Sequence, residues 1–464
     1  MGRSIMDPRT RMLLEAPVGR TIVRLALPNL VVMVVQTSIG LIETYFVAKL
    51  GVDALAAMAL VFPPFMLLVM VSAGAMGGGI LSAIARALGA GQKERANALV
   101  WHAVAITLVL SAATTIAALL WAPKLYALMG GRDGSLANAV RYSNIIFVAA
   151  VPLWLFNSFA AMIRATGNML LPAAVIVAGA VFLIPVSPML IFGFGPFPQL
   201  GIVGGAVAVL IYYVVGCAIF AVYLWSGRGV LSPPLKPSRL SWAPLTEILR
   251  VGAASSVISL STNVTAVVAT GLAGLVGPAA VAGYGTGVRL EYLLVPLVFG
   301  LGQPVGAMVG TATGAAQTAR ALRVAWTGAT IAGGVTGAIG LVAAVYPAAW
   351  LSLFGGDDAM LAYGSLYLRM VGPFYGFFGA GLALYFAAQG AGRLAWPVAA
   401  ATLRVLISAG GGWLAAVMLR DTAGLFAALA GALVVFGIVN AIPMAGAAWR
   451  RRERVAPAGV PQPS

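Results

Sequence analysis

Three polar side chains, Asn29, Gln36 and Glu43, recur every seven residues inside an apolar stretch that runs from Asn29 to Gly51. On a helix they fall within about 40° of one another and form a single polar stripe. A carboxylate held in hydrocarbon costs roughly 3 kcal/mol or more, so it faces a protein interior or a water-filled cavity. The chemistry open to such a group is to take up and release a proton or a cation. A Glu near a helix end could instead reach the headgroups. Glu43 stands about 10 Å from the expected outer end of its segment, which is far for so short a side chain.

A second acid, Glu291, stands deeper in another apolar segment, about 16 Å from its expected outer end. Arg289 is two residues away and points to a different side of the helix, so the two are not expected to pair directly. Two readings stand side by side for Glu291: an ion-coupling carboxylate, or a structural ion pair, in which either Glu291 or Arg289 meets Arg404 or Glu291 meets Arg289 through a neighbour. Gln36, Asn157, Asn263, Gln303 and Gln389 place amides in apolar segments, and with Ser158 and Arg289 they are candidate members of a substrate cavity. Each amide is equally able to hold helices together. Phe62, Met66 and Met70 share one helical face that suits packing, or a pliable binding surface. His102, beside Trp101, reads as interfacial. No metal-ligand cluster and no nucleophile–base set is visible, so no catalytic residue and no cofactor is expected. Gly77, Gly78 and Gly79 lack the Lys-Ser/Thr of a nucleotide loop, which argues against direct ATP coupling.

The elements that must position these groups follow from composition. Of 464 residues 61% are hydrophobic and 9% charged, which excludes a soluble domain with a polar surface and implies an all-α polytopic membrane protein. Apolar segments near 25–50, 55–85, 97–121, 140–163, 170–193, 201–226, 246–275, 280–311, 322–346, 363–387, 395–418 and 422–448 predict twelve transmembrane helices. The 57 glycines suit close helix approach in lipid. The single cysteine, Cys217, excludes an internal disulfide. No cleavable leader is expected, and the first apolar segment serves as the membrane-entry signal.

The net charge of +16 could suggest nucleic acid, but the basic residues sort by side of the membrane. Twenty of them, from Arg3 to Arg454, fall on one side, and Lys49, Lys124, Arg132, Arg141 and Arg420 on the other. The positive-inside rule then puts both termini in the cytoplasm.

The halves repeat at an offset of 225 residues: Gly130 and Asp133 match Gly355 and Asp358, Gly131 matches Gly356, Tyr142 matches Tyr367, and Gly167 and Pro172 match Gly392 and Pro397. Ala87, Gly89, Gln92 and Arg95 likewise recur as Ala312, Gly314, Gln317 and Arg320. The expected organisation is an amino-terminal lobe over 1–226, a linker over 227–244, a carboxy-terminal lobe over 245–450, and a disordered tail over 451–464. Parallel six-helix repeats offer a central cleft between lobes that rock, the geometry of alternating access. At the same offset Glu43 falls on Val268 and Glu291 on Met66, so neither acid is demanded by the shared helix packing.

The stretch from Pro188 through Gly193, Gly195, Pro196, Pro198 and Gly201 to Gly204, Gly205 and Ala206 resembles the fifth-helix and loop signature of the MATE (multidrug and toxic compound extrusion) family. Agreement extends to Tyr45–Gly51, Leu88–Gly91, Arg164–Asn168 with Pro172, and Tyr284–Glu291, the last most like the DinF-like branch. The resemblance covers about residues 20–450. It implies a V-shaped pair of six-helix bundles in the bacterial inner membrane, exporting amphipathic, often cationic small molecules in exchange for protons or sodium ions. A monomer in contact with lipid is expected, with no nucleic-acid partner. The family's helix 1 acid becomes Glu43, followed by Thr44. Where the DinF-like branch tends to carry an Asp before the helix 5 proline, this chain has Ser187. Where the NorM-like branch carries a helix 7 acid, it has Thr262 and Asn263. Protons are therefore preferred to sodium as the coupling ion, with Glu43 the only acid in the membrane core of its lobe. A sodium-coupled exporter, a lipid-linked precursor flippase of the same superfamily, and a channel or receptor are the alternatives. The flippases commonly have more helices and cationic cavities.

Overall fold

The computed structural model describes residues 7–445 apart from 196, 238, 356 and 420, without the side chains at 37 and 41. The tail 451–464, Arg3, Pro196, Gly356, Arg420, and Arg450 to Arg454 lie outside the described residues.

Every regular element among the described residues is helical. A short helix α1 (Pro8–Glu15), not foreseen from the sequence, is capped by Asp7, whose side chain accepts from Arg9 N. Its Leu13 and Leu14 are buried, and Leu13 lies against Gly167. The spans follow: α2 (Val18–Ala48), α3 (Val52–Gly89), α4 (Lys93–Leu128), the bent pair α5 (Asp133–Val148) and α6 (Ala150–Ala165), α7 (Leu170–Phe192), α8 (Ile202–Trp225), α9 (Trp242–Val276), α10 (Pro278–Gly314), α11 (Thr318–Val345), α12 (Asp358–Gly390), α13 (Ala395–Met418) and α14 (Thr422–Ala445). Counting the bent pair as one span gives twelve, six before the linker and six after. The 45° bend between α5 and α6 has a local cause. Pro152 has no N–H to offer the carbonyl of Val148, and a helix yields where that bond is missing.

The repeat is visible in the helix boundaries. α3 ends at Gly89 and α10 at Gly314; α4 opens at Lys93 and α11 at Thr318; α5 opens at Asp133 and α12 at Asp358; α7 opens at Leu170 and α13 at Ala395. Each pair is 225 residues apart, so the recurring Gly, Gln and Asp residues are the helix-ending and helix-starting signals of one duplicated pattern.

By Cα packing the chain divides into two compact units, the first the described part of Met1–Ala16 with Arg20–Ser259, the second Pro17–Gly19 with the described part of Leu260–Ser464. The division falls inside α9, beyond the sequence-based linker at 227–244. The reason is local packing: the first half of α9 is built into the first unit. A Cβ on Gly79 of α3 would come within 2.7 Å of the carbonyl of Ile248, so only glycine allows this approach. Glu247 then joins Arg86 at the end of α3, at 2.9 Å, to Arg95 at the start of α4, at 2.7 Å. The linker is tied down as well, with Trp101 Nε1 donating to Pro234 O at 2.9 Å and Ser232 N donating to Asn97 Oδ1 at 2.9 Å. His102, read as interfacial, is instead 2% exposed. Its Nδ1 lies 2.8 Å from Ala98 O and its Nε2 accepts from Ser241 N at 3.1 Å, a pair of roles that the Nδ1-protonated neutral imidazole fills.

In the first unit Val47, Ala57, Val61, Tyr126 and Ile146 form a buried cluster of α2, α3, α4 and α5. The glycine-rich turn after α7 is a packing device. Gly193 adopts φ 75° to end the helix, and a Cβ on Gly204 would strike the carbonyl of Leu190. In the second unit, the rings of Tyr284, Tyr367 and Phe426 stack and cross at centroid distances of 5.2 to 6.5 Å.

Candidate functional site

Glu43 lies five residues before Ala48, the last residue of α2, so it is nearer the helix end than the sequence spacing implied. It is half-buried, and its Oε1 is buried without a hydrogen-bond partner. Tyr142 of α5 and Tyr213 of α8 lie within electrostatic reach of the carboxylate. Ser187 of α7 borders the same region: its Oγ and the Tyr142 ring both flank Gly205, and that Oγ is also buried without a partner. The position where an acid was missed in the sequence thus lies beside a tyrosine that feels Glu43. Of the other stripe members, Asn29 is 3% exposed and Gln36 is exposed.

Asn157 and Ser158, on α6, are engaged in helix contacts. Asn157 Nδ2 donates to Ser72 Oγ at 2.8 Å, inside the π-helical turn Met70–Met76 of α3, and Ser158 Oγ meets Thr107 Oγ1 of α4 at 2.8 Å. A π turn is a local widening and under-winding of the helix that often marks a functional position, and the Asn157 amide steadies it.

In the second unit the outcome is a defined ion pair. Glu291 lies 13 residues into α10, about 20 Å along the helix from Pro278 at ordinary helical rise. Its Oε1 accepts from Arg404 Nη2 of α13 at 2.7 Å and its Oε2 accepts from Tyr367 Oη of α12 at 3.2 Å. Glu291 and Arg404 are 8% and 6% exposed. The guanidinium stacks over Phe378 and Phe436, 5.0 and 5.7 Å from their centroids. The group borders a small cavity walled by α9, α10, α12, α13 and α14, with Thr262, Thr265, Tyr284 and Ser408 among its lining residues.

Arg289 takes no part in this arrangement. It is exposed, with its guanidinium 5.1 Å from the Phe354 ring. Gln389 is 2% exposed and donates to Tyr385 Oη at 2.8 Å, while Gln303 is half-buried and Asn263 is exposed. Neither Gln303 nor Gln389 lines the cavity around Glu291; Thr262, next to Asn263, does. Sequence reasoning passed over the tyrosines and Ser408. Tyr367 could have been found, because it recurs at the repeat offset from Tyr142 and each stands by its unit's in-membrane acid.

The family model MatE matches residues 28–189 and 254–414. The chain belongs to the MatE family. It is 30% identical over 312 residues to the FAD transporter of Shewanella oneidensis, covering 67% of this chain and 68% of that one. It is 24% identical over 395 residues to "Probable multidrug resistance protein NorM" of Thermotoga maritima, covering 83% and 82%. A solved outward-facing structure of a multidrug resistance MATE family transporter of the MOP superfamily superposes with a TM-score of 0.84 at 25% identity, over 95% of this chain and 98% of that one. As a MATE protein the chain is a multi-pass membrane transporter of small molecules and not an enzyme.

Proposed function

We propose that the protein is a secondary antiporter that exports amphipathic small molecules across the bacterial inner membrane in exchange for protons, by alternating access of its two lobes. The side richer in basic residues faces the cytoplasm, both termini lie there, and the protein works as a monomer. The observation that carries the reading is Glu43, whose Oε1 is buried in an apolar unit without a donor. An ionised carboxylate in that setting is costly, and a proton removes the cost. A carboxyl that is neutral when sealed and ionised when wetted exchanges one proton per cycle. An acidic stripe on α2 suits cationic substrates, which compete with the proton for the same charge.

The test is dye efflux by purified protein in proteoliposomes, under separately imposed pH and sodium gradients. Efflux is expected with the pH gradient and to be abolished in Glu43→Gln, a variant that keeps the side chain's shape. Undiminished efflux by that variant removes the role, and efflux driven by sodium alone replaces the ion.

A second substrate reading is favoured by one structural observation, the cationic Arg404 beside a cavity in the second unit. The relative named as a FAD transporter points the same way, because flavin adenine dinucleotide carries a pyrophosphate. On this reading the exported molecule bears an anionic group.

A further inference from the structure

Among the described residues lining the cavity of the second unit, Arg404 is the one cation and Glu291 the one acid. Their pairing leaves donors over. Arg404 Nε is buried without a hydrogen-bond partner, and so is Ser408 Oγ, four residues further along α13. The two residues are 6% and 1% exposed. Ser408 belongs to the π-helical stretch Ile407–Gly411, a distortion of the kind that recurs at functional positions in helices. The Phe378 and Phe436 rings both lie against the guanidinium, which restricts the directions of its donors.

Two buried donors without an acceptor, on one side of one helix and beside an empty space, are complementary to an oxyanion. The rest of the lining suits the body of such a ligand. Tyr284 and Tyr292 offer aromatic surface, and Thr265 adds a hydroxyl. We propose that this cavity binds the anionic end of the transported molecule, a carboxylate or a phosphate on an aromatic or amphipathic body, held by Arg404 and Ser408 with Glu291 as the resident competitor. This deepens the second substrate reading above and rests on it in taking the ligand to be the substrate.

The charges set the direction of the competition. With Glu291 ionised, the charge of Arg404 is already met, and a second anion would bring uncompensated negative charge into a buried pocket. With that charge removed, as in Glu291→Gln, the ligand's oxyanion takes the guanidinium in its place.

The experiment is equilibrium binding by calorimetry to the purified full-length protein in detergent, with benzoate, phenyl phosphate and benzyltrimethylammonium as probes. The two anions separate carboxylate from phosphate recognition, and the third has a similar body with the opposite charge. Glu291→Gln is expected to bind at least one anion about tenfold or more tightly than the wild type at neutral pH. The cation is expected to gain nothing from that substitution. Arg404→Gln is expected to lose anion binding, with a melting curve to establish that it is folded; if it is not, the Glu291→Gln arm decides. A folded Glu291→Gln protein that binds neither anion, or that binds the cation more tightly than both, overturns the proposal. No gradient is used, so failure of gradient-driven export and failure of anion binding are separate results.

Discussion

Tyr142 and Tyr367, 225 residues apart at matching positions of the repeat, each stand by the in-membrane acid of their own unit. The acids are not repeat-related, since Glu43 is on α2 and Glu291 on α10, the first span of one half and the second of the other. The shared scaffold supplies the tyrosine and each half adds its acid from a different helix. The chemistry differs accordingly: Tyr367 donates to Glu291 at 3.2 Å, whereas Glu43 Oε1 has no donor. Tyr367→Phe removes a hydrogen bond to a buried charged group and is expected to cost about 2 kcal/mol. Tyr142→Phe is expected to stay within about 0.5 kcal/mol of the wild type, as an edge change without a lost carboxylate bond. Thermal unfolding of the detergent-solubilised variants measures both, and equal losses would show that the tyrosines are equivalent.

The repeat also exposes a backbone flaw. Gly91, after α3, has φ 72°, and its counterpart after α10 is Ala316 at φ 57°. The left-handed conformation costs an L-residue with a Cβ about 1 kcal/mol, and glycine pays nothing there. Ala316→Gly is therefore expected to stabilise the protein by roughly 1 kcal/mol, and Gly91→Ala to destabilise it by a similar amount, even though no atom lies within 4 Å of a Cβ built on Gly91. A pair of melting temperatures that shift in opposite directions bears this out; a lower value for Ala316→Gly contradicts it.

Glu247 tests how firmly the start of α9 is fixed to α3 and α4. Its two carboxylate oxygens serve Arg86 and Arg95 separately, with side-chain exposures of 21%, 18% and 52% for Glu247, Arg86 and Arg95. The pair with Arg86 is the better shielded and carries more of the effect, since exposed pairs contribute little. Glu247→Ala is expected to cost about 1 kcal/mol locally and to speed proteolytic cleavage of the adjoining linker about fivefold. Raising the salt concentration is expected to accelerate cleavage of the wild type and leave the variant nearly unchanged. Identical cleavage rates for the two proteins would dismiss the clamp.

The parts of this molecule that were legible in the sequence are those written in periodic apolarity and in recurring residue types. Twelve spans and the repeat follow from hydropathy and from Gly, Gln and Asp at one offset, because lipid leaves a chain few ways to satisfy its backbone. The site was less legible. Glu43 and Glu291 announce themselves as charges in apolar segments, and Arg404 was named as a partner for Glu291. Which amides face a cavity depends on helix rotation, and that rotation is set by glycine contacts such as Gly79 with Ile248, which pattern alone does not give. So Asn157 turned out to steady a π turn, Arg289 to lie over Phe354, and the division of the chain to fall within α9.

The two acids are expected to respond differently to loss of charge, because one is paired and the other has no donor on its Oε1. Arg404 is held by Glu291 at 2.7 Å with both side chains nearly buried. Glu291→Ala strands the guanidinium and is expected to cost about 3 kcal/mol or more, and Arg404→Ala a similar amount by stranding the carboxylate. The Glu291→Met, Arg404→Met double variant removes both charges at similar volume and is expected to regain most of that loss. Glu43→Gln strands nothing, because Glu43 Oε1 has no donor to lose. It is expected to melt within about 0.5 kcal/mol of the wild type. A double-mutant cycle on Glu291 and Arg404, measured beside Glu43→Gln, decides the matter: additivity of the two single losses would mean that the pair does not act as a unit, and a large loss in Glu43→Gln would place that carboxylate in the scaffold.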